Sequence, residues 1–320
     1  MTTPIVSIVI PVLNSERWLD AAIVSVLQQD YPALELIVKD GGSTDGTPAI
    51  VQRYADRVVW VSQPDTGISH ALNQGFAQSS GEILGWIGSD DGLTPGAVRA
   101  VVDFLTTYPE IGAVYGDCAV IDTTGRTVDV IRPGPFDRQR ILGWNYIADP
   151  ATFVRRALLA RVGWLDESLR NVMDHDLWIK FAIHGSMAYL PQTLARFRVH
   201  TASTTNRHVR RAGEETIRVV TRAFADPAMP TELRAAQARA LGEAYLRAGM
   251  CYYAAQDLGQ ARTYLWQAVR FAPHLAVDSR FVRTFGMSLL GRPLITRLRR
   301  LRRTLPPAHP TDSSTWQPHV

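Results

Sequence analysis

Residues 81–92 read Gly-Glu-Ile-Leu-Gly-Trp-Ile-Gly-Ser-Asp-Asp-Gly. The apolar run at 83–87 is brief, bounded by glycines and rich in branched and aromatic residues, which predicts a buried strand. Two adjacent carboxylates follow, Asp90 and Asp91, which repel each other unless a cation or hydrogen bonds compensate. Hard oxygen ligands suit Mg²⁺ or Mn²⁺, and ligands bind at the carboxyl ends of strands in open α/β sheets. A solvated Asp-Asp-Gly turn is the alternative explanation.

Strands and helices alternate on the N-terminal side of this run. Apolar spacing predicts strands within 7–14, 34–39 and 58–62, each followed by a helix. This alternation predicts an α/β fold with a mostly parallel sheet and helices on both faces. The loop at 40–46 reads Asp-Gly-Gly-Ser-Thr-Asp-Gly and follows the second strand, so its polar groups are expected at the same sheet edge as Asp90 and Asp91. A glycine-rich turn capped by aspartate would explain this loop equally well.

The size and composition limit the class of protein. A chain of 320 residues with 46% hydrophobic and 20% charged residues can form one large domain and a smaller one. The two cysteines, Cys118 and Cys251, lie far apart and indicate neither a disulfide framework nor a metal cluster, which fits a reducing compartment. No signal peptide and no apolar run of about 18–20 residues is evident. We therefore expect a cytoplasmic protein, either free or peripheral on the inner face of the cell membrane.

An ordered set of short motifs resembles glycosyltransferase family 2. The motifs are Ser7-Ile-Val-Ile-Pro-Val-Leu-Asn14, Lys39-Asp-Gly-Gly-Ser-Thr-Asp-Gly46, Asp65-Thr-Gly-Ile-Ser-His-Ala-Leu-Asn-Gln-Gly75, Gly81-Glu82 and Ser89-Asp-Asp91. Each is weak alone, whereas the ordered set is specific, and the resemblance covers roughly residues 5–205. It implies the GT-A fold, a nucleotide-diphosphate sugar donor and inversion at the anomeric carbon.

The resemblance also implies roles for individual residues on the donor side. Asp91 would bind a divalent metal, Mn²⁺ or Mg²⁺, that bridges the diphosphate, and His200 in Arg198-Val-His-Thr-Ala-Ser203 would complete this site. Arg198 would pair with the diphosphate. The remaining residues implied to line the nucleotide-sugar pocket are Pro11, Asn14, Asp40 against the base, Asp65, Asn73 and Asp90 near the ribose.

The acceptor side carries the implied catalytic base. Residues 171–181 read Asn-Val-Met-Asp-His-Asp-Leu-Trp-Ile-Lys-Phe and resemble the family's catalytic Asp-x-Asp-Leu-Trp motif. Asp174 would then be the general base that deprotonates the acceptor hydroxyl. Met173 stands where the family often has Glu, so Asp176 remains an alternative, and helix capping by Asp174 is a purely structural one. Trp144, Asn145 and Tyr146 are either acceptor contacts or core residues.

The rear of the chain differs in charge and pattern. Residues 200–320 contain 18 Arg, no Lys and 8 acidic residues, a net charge of +10, against −6 for residues 1–199. Helical spacing is predicted at 210–224, 231–248, 256–271 and 276–290. We expect a catalytic domain at 1–205, a helical extension at 206–291 with one tetratricopeptide-like pair, and a tail at 292–320.

The tail contains a short basic segment. Residues 292–303 include six Arg and no acid, interleaved with apolar residues, which favours membrane-surface contact over a solvated tail or nucleic-acid binding. Base-stacking modules are missing, so we expect no nucleic-acid partner. Residues 306–320 are polar and rich in proline, which is typical of disorder.

These patterns together predict a metal-dependent inverting glycosyltransferase acting in cell-surface polysaccharide or glycolipid synthesis. It would move a sugar from a nucleotide donor, with UDP favoured over dTDP or GDP, to a glycan or lipid-linked acceptor. The alternative is a catalytically silent nucleotide-sugar-binding or scaffold protein. A nucleotidyltransferase is a weaker alternative, because residues 11–15 contain no glycine-rich basic loop for a triphosphate.

Overall fold

A computed structural model describes residues 3–200 and 208–290 of the chain. Two compact units are present: one holds Met1–Phe136 and Tyr146–His200, and the other holds Asp137–Asn145 and Thr201–Val320. The sequence-based division at residue 205 kept 137–145 in the catalytic domain, whereas the structure groups this segment with the second unit.

The first unit is built on one mixed sheet. Within the described residues its nine strands are β1 (Val6–Val12), β2 (Leu34–Asp40), β3 (Val59–Ser62), β4 (Ile83–Trp86), β5 (Gly92–Leu93), β6 (Ala113–Ile121), β7 (Thr127–Ile131), β8 (Thr152–Arg155) and β9 (Met187–Arg198). The strand order is β3-β2-β1-β4-β8-β6-β9-β5, and β7 pairs with β6. Strands β1 to β4 pair in parallel, as predicted, while β8 runs antiparallel to both β4 and β6. The predicted α/β class is confirmed.

Helices cover both faces of this sheet and form most of the second unit. Those of the described residues are, in chain order, α1 (Leu19–Leu27), α2 (Thr47–Gln52), α3 (Ile68–Gln78), α4 (Ala97–Thr107), α5 (Arg138–Gly143), α6 (Arg156–Val162), α7 (Met173–His184), α8 (Val209–Ala225), α9 (Thr231–Arg234), α10 (Gln237–Ala254), α11 (Leu258–Phe271) and α12 (Ser279–Leu289). The predicted helix at 231–248 is therefore divided between α9 and α10.

The core of the first unit lies around β1. Val6, Ile8, Val9 and Ile10 have no exposed surface, which shows that both faces of this strand are covered. Gly75 allows α3 to approach closely, because a Cβ there would lie 2.5 Å from a methyl carbon of Val9. The loop that follows β1 therefore extends from a fully buried strand.

The second unit has its own small core. Leu246, Leu265, Ala268, Leu275 and Phe281 pack together between α10, α11 and the start of α12. No helix in the described residues is long and apolar enough to cross a membrane. The basic segment at 292–303 and the proline-rich end at 306–320 lie outside the described residues.

Candidate active site

The loops that follow β1 and β2 interlock at one edge of the sheet. Asn14 adopts a left-handed backbone conformation with φ of 51°. Its backbone N–H donates to Ser43 Oγ at 2.8 Å, and its Oδ1 accepts from the Thr44 N–H at 2.9 Å. Pro11 lies one position before the end of β1 and opposite Lys39 of β2. Pro11 and Asn14 therefore lie beside the predicted donor loop.

The side-chain carboxylate of Asp40 accepts hydrogen bonds from the loop at 40–46. Its Oδ1 accepts from the N–H groups of Gly42 and Ser43 and from Ser43 Oγ, at 3.2, 2.9 and 2.7 Å. Its Oδ2 accepts from Ser62 Oγ at 2.9 Å, and only 1% of the residue is exposed. The carboxylate thus holds the loop in shape, and its predicted contact with the base stays a prediction.

Lys39 was not among the predicted site residues, yet it links two donor-side loops. The side chain is fully buried, and its Nζ donates to the backbone carbonyls of Asp40 and Gln63 at 3.0 and 2.5 Å. Asp65 Oδ2 lies 3.8 Å from Nζ and also faces Gly41 closely. Burial lowers the pKa of Lys39, while the charges of Asp65 and Asp40 oppose this shift. The sequence signal was a lysine directly after the apolar residues 36–38 of a strand.

Asp91 is held in place by two backbone N–H groups. Its Oδ1 accepts from the Arg198 N–H at 2.9 Å, its Oδ2 accepts from the Gly88 N–H at 3.2 Å, and 8% of the residue is exposed. Burial, followed by repulsion from Asp90, raises the pKa of Asp91 well above its usual value, and Asp149 adds to the repulsion. A cation at this position would remove that penalty.

His200 and Arg198 bring the end of β9 to the two aspartates. His200 Nε2 lies 2.6 Å from Asp90 Oδ2, and its ring packs on Trp18 with centroids 4.5 Å apart. Arg198 Nε donates to the Asp90 carbonyl at 2.8 Å, and its Nη1 donates to the Asp122 carbonyl at 2.9 Å. The structure thus brings these segments together, and His200 contacts the Asp90 carboxylate. Through these two hydrogen bonds, the Arg198 guanidinium holds the backbone at Asp90 and at Asp122 in place.

Asp149 forms an acidic cluster with Asp90, Asp91 and Asp174. It was not among the site residues predicted from the sequence. Its Oδ2 accepts from Trp86 Nε1 at 3.3 Å. Burial, followed by the charge of Asp174, raises the pKa of Asp149 to about 7, and Asp90 adds a smaller contribution. The residue precedes β8, whose antiparallel pairing with β4 brings its first residues to the carboxyl end of β4. Only that pairing direction would have indicated the position.

The structure distinguishes the two aspartates of α7. Asp174 lies half-buried in the first turn and acts electrostatically on Asp149. Asp176 is buried and pairs with Lys180 on the same helix at 2.9 Å. The charge of Asp176 is therefore compensated by its own helix, and Asp174 is the one that belongs to the acidic cluster.

Two predicted residues take part in loop packing. The Asn73 Nδ2 donates to the Leu165 carbonyl and to Glu167 Oε1, both at 2.9 Å, and its Oδ1 accepts from the Leu165 N–H at 3.2 Å. Asp65 Oδ1 accepts from the Gly67 N–H at 2.9 Å and shapes the turn before α3. These hydrogen bonds of Asn73 connect α3 to the segment before α7. Asn73 does not belong to the acidic cluster.

The acidic cluster has the donor chemistry of a hard-metal site. Among the described residues, no three or more His, Cys, Asp or Glu side chains are arranged as a complete metal centre. Asp91 and the His200–Asp90 pair supply carboxylate and imidazole donors next to each other. Such a partial set suits Mg²⁺ or Mn²⁺, which take part of their coordination from substrate phosphates.

Comparison with known proteins is consistent with this architecture. A family model described as "Glycosyl transferase family 2" matches residues 7–162. The PGL/p-HBAD biosynthesis glycosyltransferase of Mycobacterium tuberculosis is 32% identical over 185 residues, which cover 56% of this chain and 70% of that protein.

Two solved structures share the fold over nearly the whole chain. S. aureus TarS 1–349 in complex with UDP-GlcNAc has a TM-score of 0.65 and 16% identity, covering 92% of each chain. The mannosyltransferase PcManGT from Pyrobaculum calidifontis, in complex with GDP-Man and Mn²⁺, has a TM-score of 0.62 and 21% identity, covering 95% of this chain and 89% of that one. The predicted GT-A fold with an α-helical C-terminal part is confirmed.

Proposed function

The chain belongs to glycosyltransferase family 2, and from this premise we propose that it is an inverting enzyme that transfers a sugar from a nucleotide-diphosphate donor to a hydroxyl of a glycan or lipid-linked acceptor. The observation that carries the proposal is the acidic cluster of Asp90, Asp91, Asp149 and Asp174. These residues come from three separate chain segments, and their charges act on one another at one edge of the sheet. A cluster with such mutual repulsion is typical of a functional site.

Asp174 is the residue we propose as the general base. In a direct displacement, the acceptor oxygen bonds to the anomeric carbon while the bond from that carbon to the diphosphate oxygen breaks. The acceptor hydroxyl loses its proton as it attacks, and the carboxylate of Asp174 accepts it. With its pKa at about 7, Asp149 keeps its own proton over much of the acidic range, which limits the total negative charge around Asp174.

Asp91 and His200 are the side chains we propose to hold a divalent cation. When bound, this cation would stabilise the charge that develops on the departing diphosphate. The hydrogen bonds from Arg198 and Gly88 fix the orientation of the Asp91 carboxylate before any ligand binds. PcManGT, which shares the fold, was solved in complex with Mn²⁺, and this supports the assignment.

The donor-side loops favour a nucleotide sugar, and we propose a UDP-sugar first, with dTDP- and GDP-sugars as alternatives. Lys39 and Asp40 fix these loops from the core. UDP-GlcNAc in TarS and GDP-Man in PcManGT support this donor class. The name of the mycobacterial relative supports a role in glycoconjugate synthesis.

A donor screen tests the proposal directly. Melting temperature is measured with UDP-, dTDP- and GDP-sugars, each with Mn²⁺ or with EDTA, and donor hydrolysis is measured in parallel. A donor at 100 times its Kd should stabilise the protein by about 2.7 kcal/mol. We expect one nucleotide class to stabilise the wild type with Mn²⁺ and to lose this effect in Asp91→Asn. If no donor stabilises the protein or is hydrolysed, the proposal is wrong.

The basic segment at 292–303 leads us to propose contact with an anionic membrane surface, which would bring the enzyme to a lipid-linked acceptor. Sedimentation with vesicles of phosphatidylcholine and phosphatidylglycerol tests this contact. We expect deletion of residues 292–320 to abolish co-sedimentation. Unchanged vesicle binding by the truncated protein would contradict the proposal.

A further inference from the structure

The solvent-facing sides of α11 and α12 expose an apolar stripe. Val282, Phe285 and Leu289 recur at i, i+3 and i+7, which places them on one side of α12. Trp266 of α11 adds to this stripe, because its ring meets the ring of Phe285 edge-on with centroids 5.9 Å apart. Trp266, Val282 and Leu289 are 64%, 54% and 62% exposed, and Phe285 is half-buried. These four side chains form an apolar surface, which we call the α11–α12 face.

The core of the second unit does not include the exposed part of this face. Leu265 and Phe281 belong to that core, and Phe285 packs against its edge. Trp266 and Leu289 lie outside it, so burial within the unit does not explain why they are apolar. Single exposed apolar residues are normal on a protein surface, whereas a contiguous group of them is typical of an interaction site.

Arginines lie at the edges of the α11–α12 face. Arg262 and Arg270 stand four residues before and four residues after Trp266, and therefore on the same side of α11. Arg270 is exposed, and Arg283 is exposed next to Val282 on α12. Both helices that carry the apolar stripe thus also present positive charge beside it.

Acidic residues do not balance this charge. Residues 258–290 contain four Arg, no Lys and one acid, Asp278, which gives the segment a formal net charge of +3. Asp278 pairs with Arg280 at 2.8 Å, so the acid is already occupied by an arginine. A partner for the α11–α12 face must therefore combine apolar groups with negative charge.

Charge argues against two occupants from the chain itself. A second copy would bring the same arginines to the face, and the segment at 292–303 carries six further Arg, so both would be repelled. Tryptophan and aliphatic side chains with arginines at their edge are typical of surfaces that lie at the boundary between lipid headgroups and acyl chains. The chain also runs from Leu290, next to this face, directly into the basic segment already proposed to contact a membrane.

We propose that the α11–α12 face is a lipid-binding surface, which inserts Trp266, Val282 and Leu289 shallowly into the headgroup region of an anionic membrane. Arg270 and Arg283 lie beside these side chains and bind the lipid phosphates. Stable attachment generally takes two signals, so this face and the basic segment act together, and the loss of either releases the protein. The inference extends the proposed membrane contact to a second surface and does not depend on the donor chemistry.

Insertion is measured with an environment-sensitive fluorophore attached to the full-length protein through Val282→Cys. The native cysteines, Cys118 and Cys251, are both buried, so the label reacts selectively at position 282. Val128→Cys is the matched control, because Val128 is also an exposed valine, at 47%, and lies on β7 of the first unit. With vesicles of phosphatidylcholine and phosphatidylglycerol, we expect a blue shift and quenching by brominated lipid at position 282 and neither at position 128. Vesicles of phosphatidylcholine alone should give a smaller response.

Polar substitutions test how much the face contributes to binding. Trp266→Gln should weaken co-sedimentation with the anionic vesicles by about tenfold, because it removes an aromatic side chain that the bilayer would bury. Arg283→Gln should weaken binding most at low salt, since its contribution is electrostatic. Val128→Gln should bind like the wild type, and melting temperatures check that each variant is folded.

Three outcomes would overturn the inference. If the wild type co-sediments while the label at position 282 does not respond, the basic segment alone makes the contact. If the label responds to soluble poly-glutamate and not to vesicles, the face binds an acidic protein instead of lipid. If the label responds to rising protein concentration without vesicles, the face binds a second copy of the chain.

Donor hydrolysis with Mn²⁺ is followed in the same preparations to separate this surface from the proposed transferase function. Insertion at position 282 without any donor hydrolysis or donor binding keeps the lipid surface and rejects the transferase function. Donor hydrolysis without insertion rejects the lipid surface and keeps the transferase function.

Discussion

Replacing Asp149 with asparagine should make the stability of the protein less sensitive to pH. Asparagine keeps an acceptor oxygen for Trp86 Nε1 and cannot ionise. Burial and the charge of Asp174 raise the pKa of Asp149 from 3.8 to about 7. The folded wild type therefore keeps a proton that the unfolded chain releases. The resulting stability is fully present below about pH 4 and is lost as pH rises through about 7.

The size of the effect follows from the two pKa values. Each pKa unit corresponds to 1.36 kcal/mol, which gives an upper limit of about 4 kcal/mol at pH 8. In a unit of this size 1 kcal/mol changes the melting temperature by about 2–4 °C. We therefore compare the melting temperature of Asp149→Asn with that of the wild type at each pH. We expect the variant's value, relative to the wild type, to be several degrees higher at pH 8 than at pH 4.

The assay is a series of melting curves between pH 4 and 8 in EDTA, for wild type and Asp149→Asn. Asp122→Asn is the control, because hydrogen bonds, first that from the Thr124 hydroxyl, lower the pKa of Asp122 to about 2. Its difference from the wild type should therefore stay constant over this range. A constant difference for Asp149→Asn as well would refute the reasoning about the cluster.

Three further perturbations test other parts of the structure. Lys39→Met removes a buried charge that donates to two backbone carbonyls, so urea unfolding should show a loss of about 3 kcal/mol; a loss below 1 kcal/mol would contradict this role. Gly67→Ala should cost about 1–3 kcal/mol, because φ is +137° and a Cβ would meet Arg170, whereas Gly286→Ala on an open helix face should be neutral or stabilising; equal effects would refute the strain. Chelation by EDTA should abolish donor hydrolysis and added Mn²⁺ should restore it, so hydrolysis that persists in EDTA would exclude the proposed metal.

Local signals were sufficient to predict strands β1 to β4 and the position of Asp90 and Asp91 in the loop after β4. Each strand from β1 to β4 is a short apolar run that ends in polar residues, and parallel pairing puts those ends at one edge. Asp149 was missed because its position depends on β8 running antiparallel to β4, a long-range pairing that has no local signal.

Long-range contacts also explain two features of the second unit that the sequence did not predict. These are the grouping of α5 with this unit and the break between α9 and α10. The contact between Gly143 and Ala240 assigns α5 to the helical unit, and two small residues in a sequence do not indicate which backbone they will touch. The break between α9 and α10 falls in an alanine-rich segment whose composition suits a continuous helix. Periodicity found these helices, but tertiary contacts set their grouping and bounds.

The most direct test of the proposed mechanism is the transfer rate of Asp174→Asn with the donor identified by the screen. Asparagine cannot accept the acceptor proton, so we expect transfer to fall by about 10²-fold or more while donor affinity and melting temperature stay close to wild type. Asp176→Asn, which removes the charge that pairs with Lys180, should keep much more activity. Transfer by Asp174→Asn at a near wild-type rate, with the donor bound normally, would contradict the assignment of Asp174 as the base.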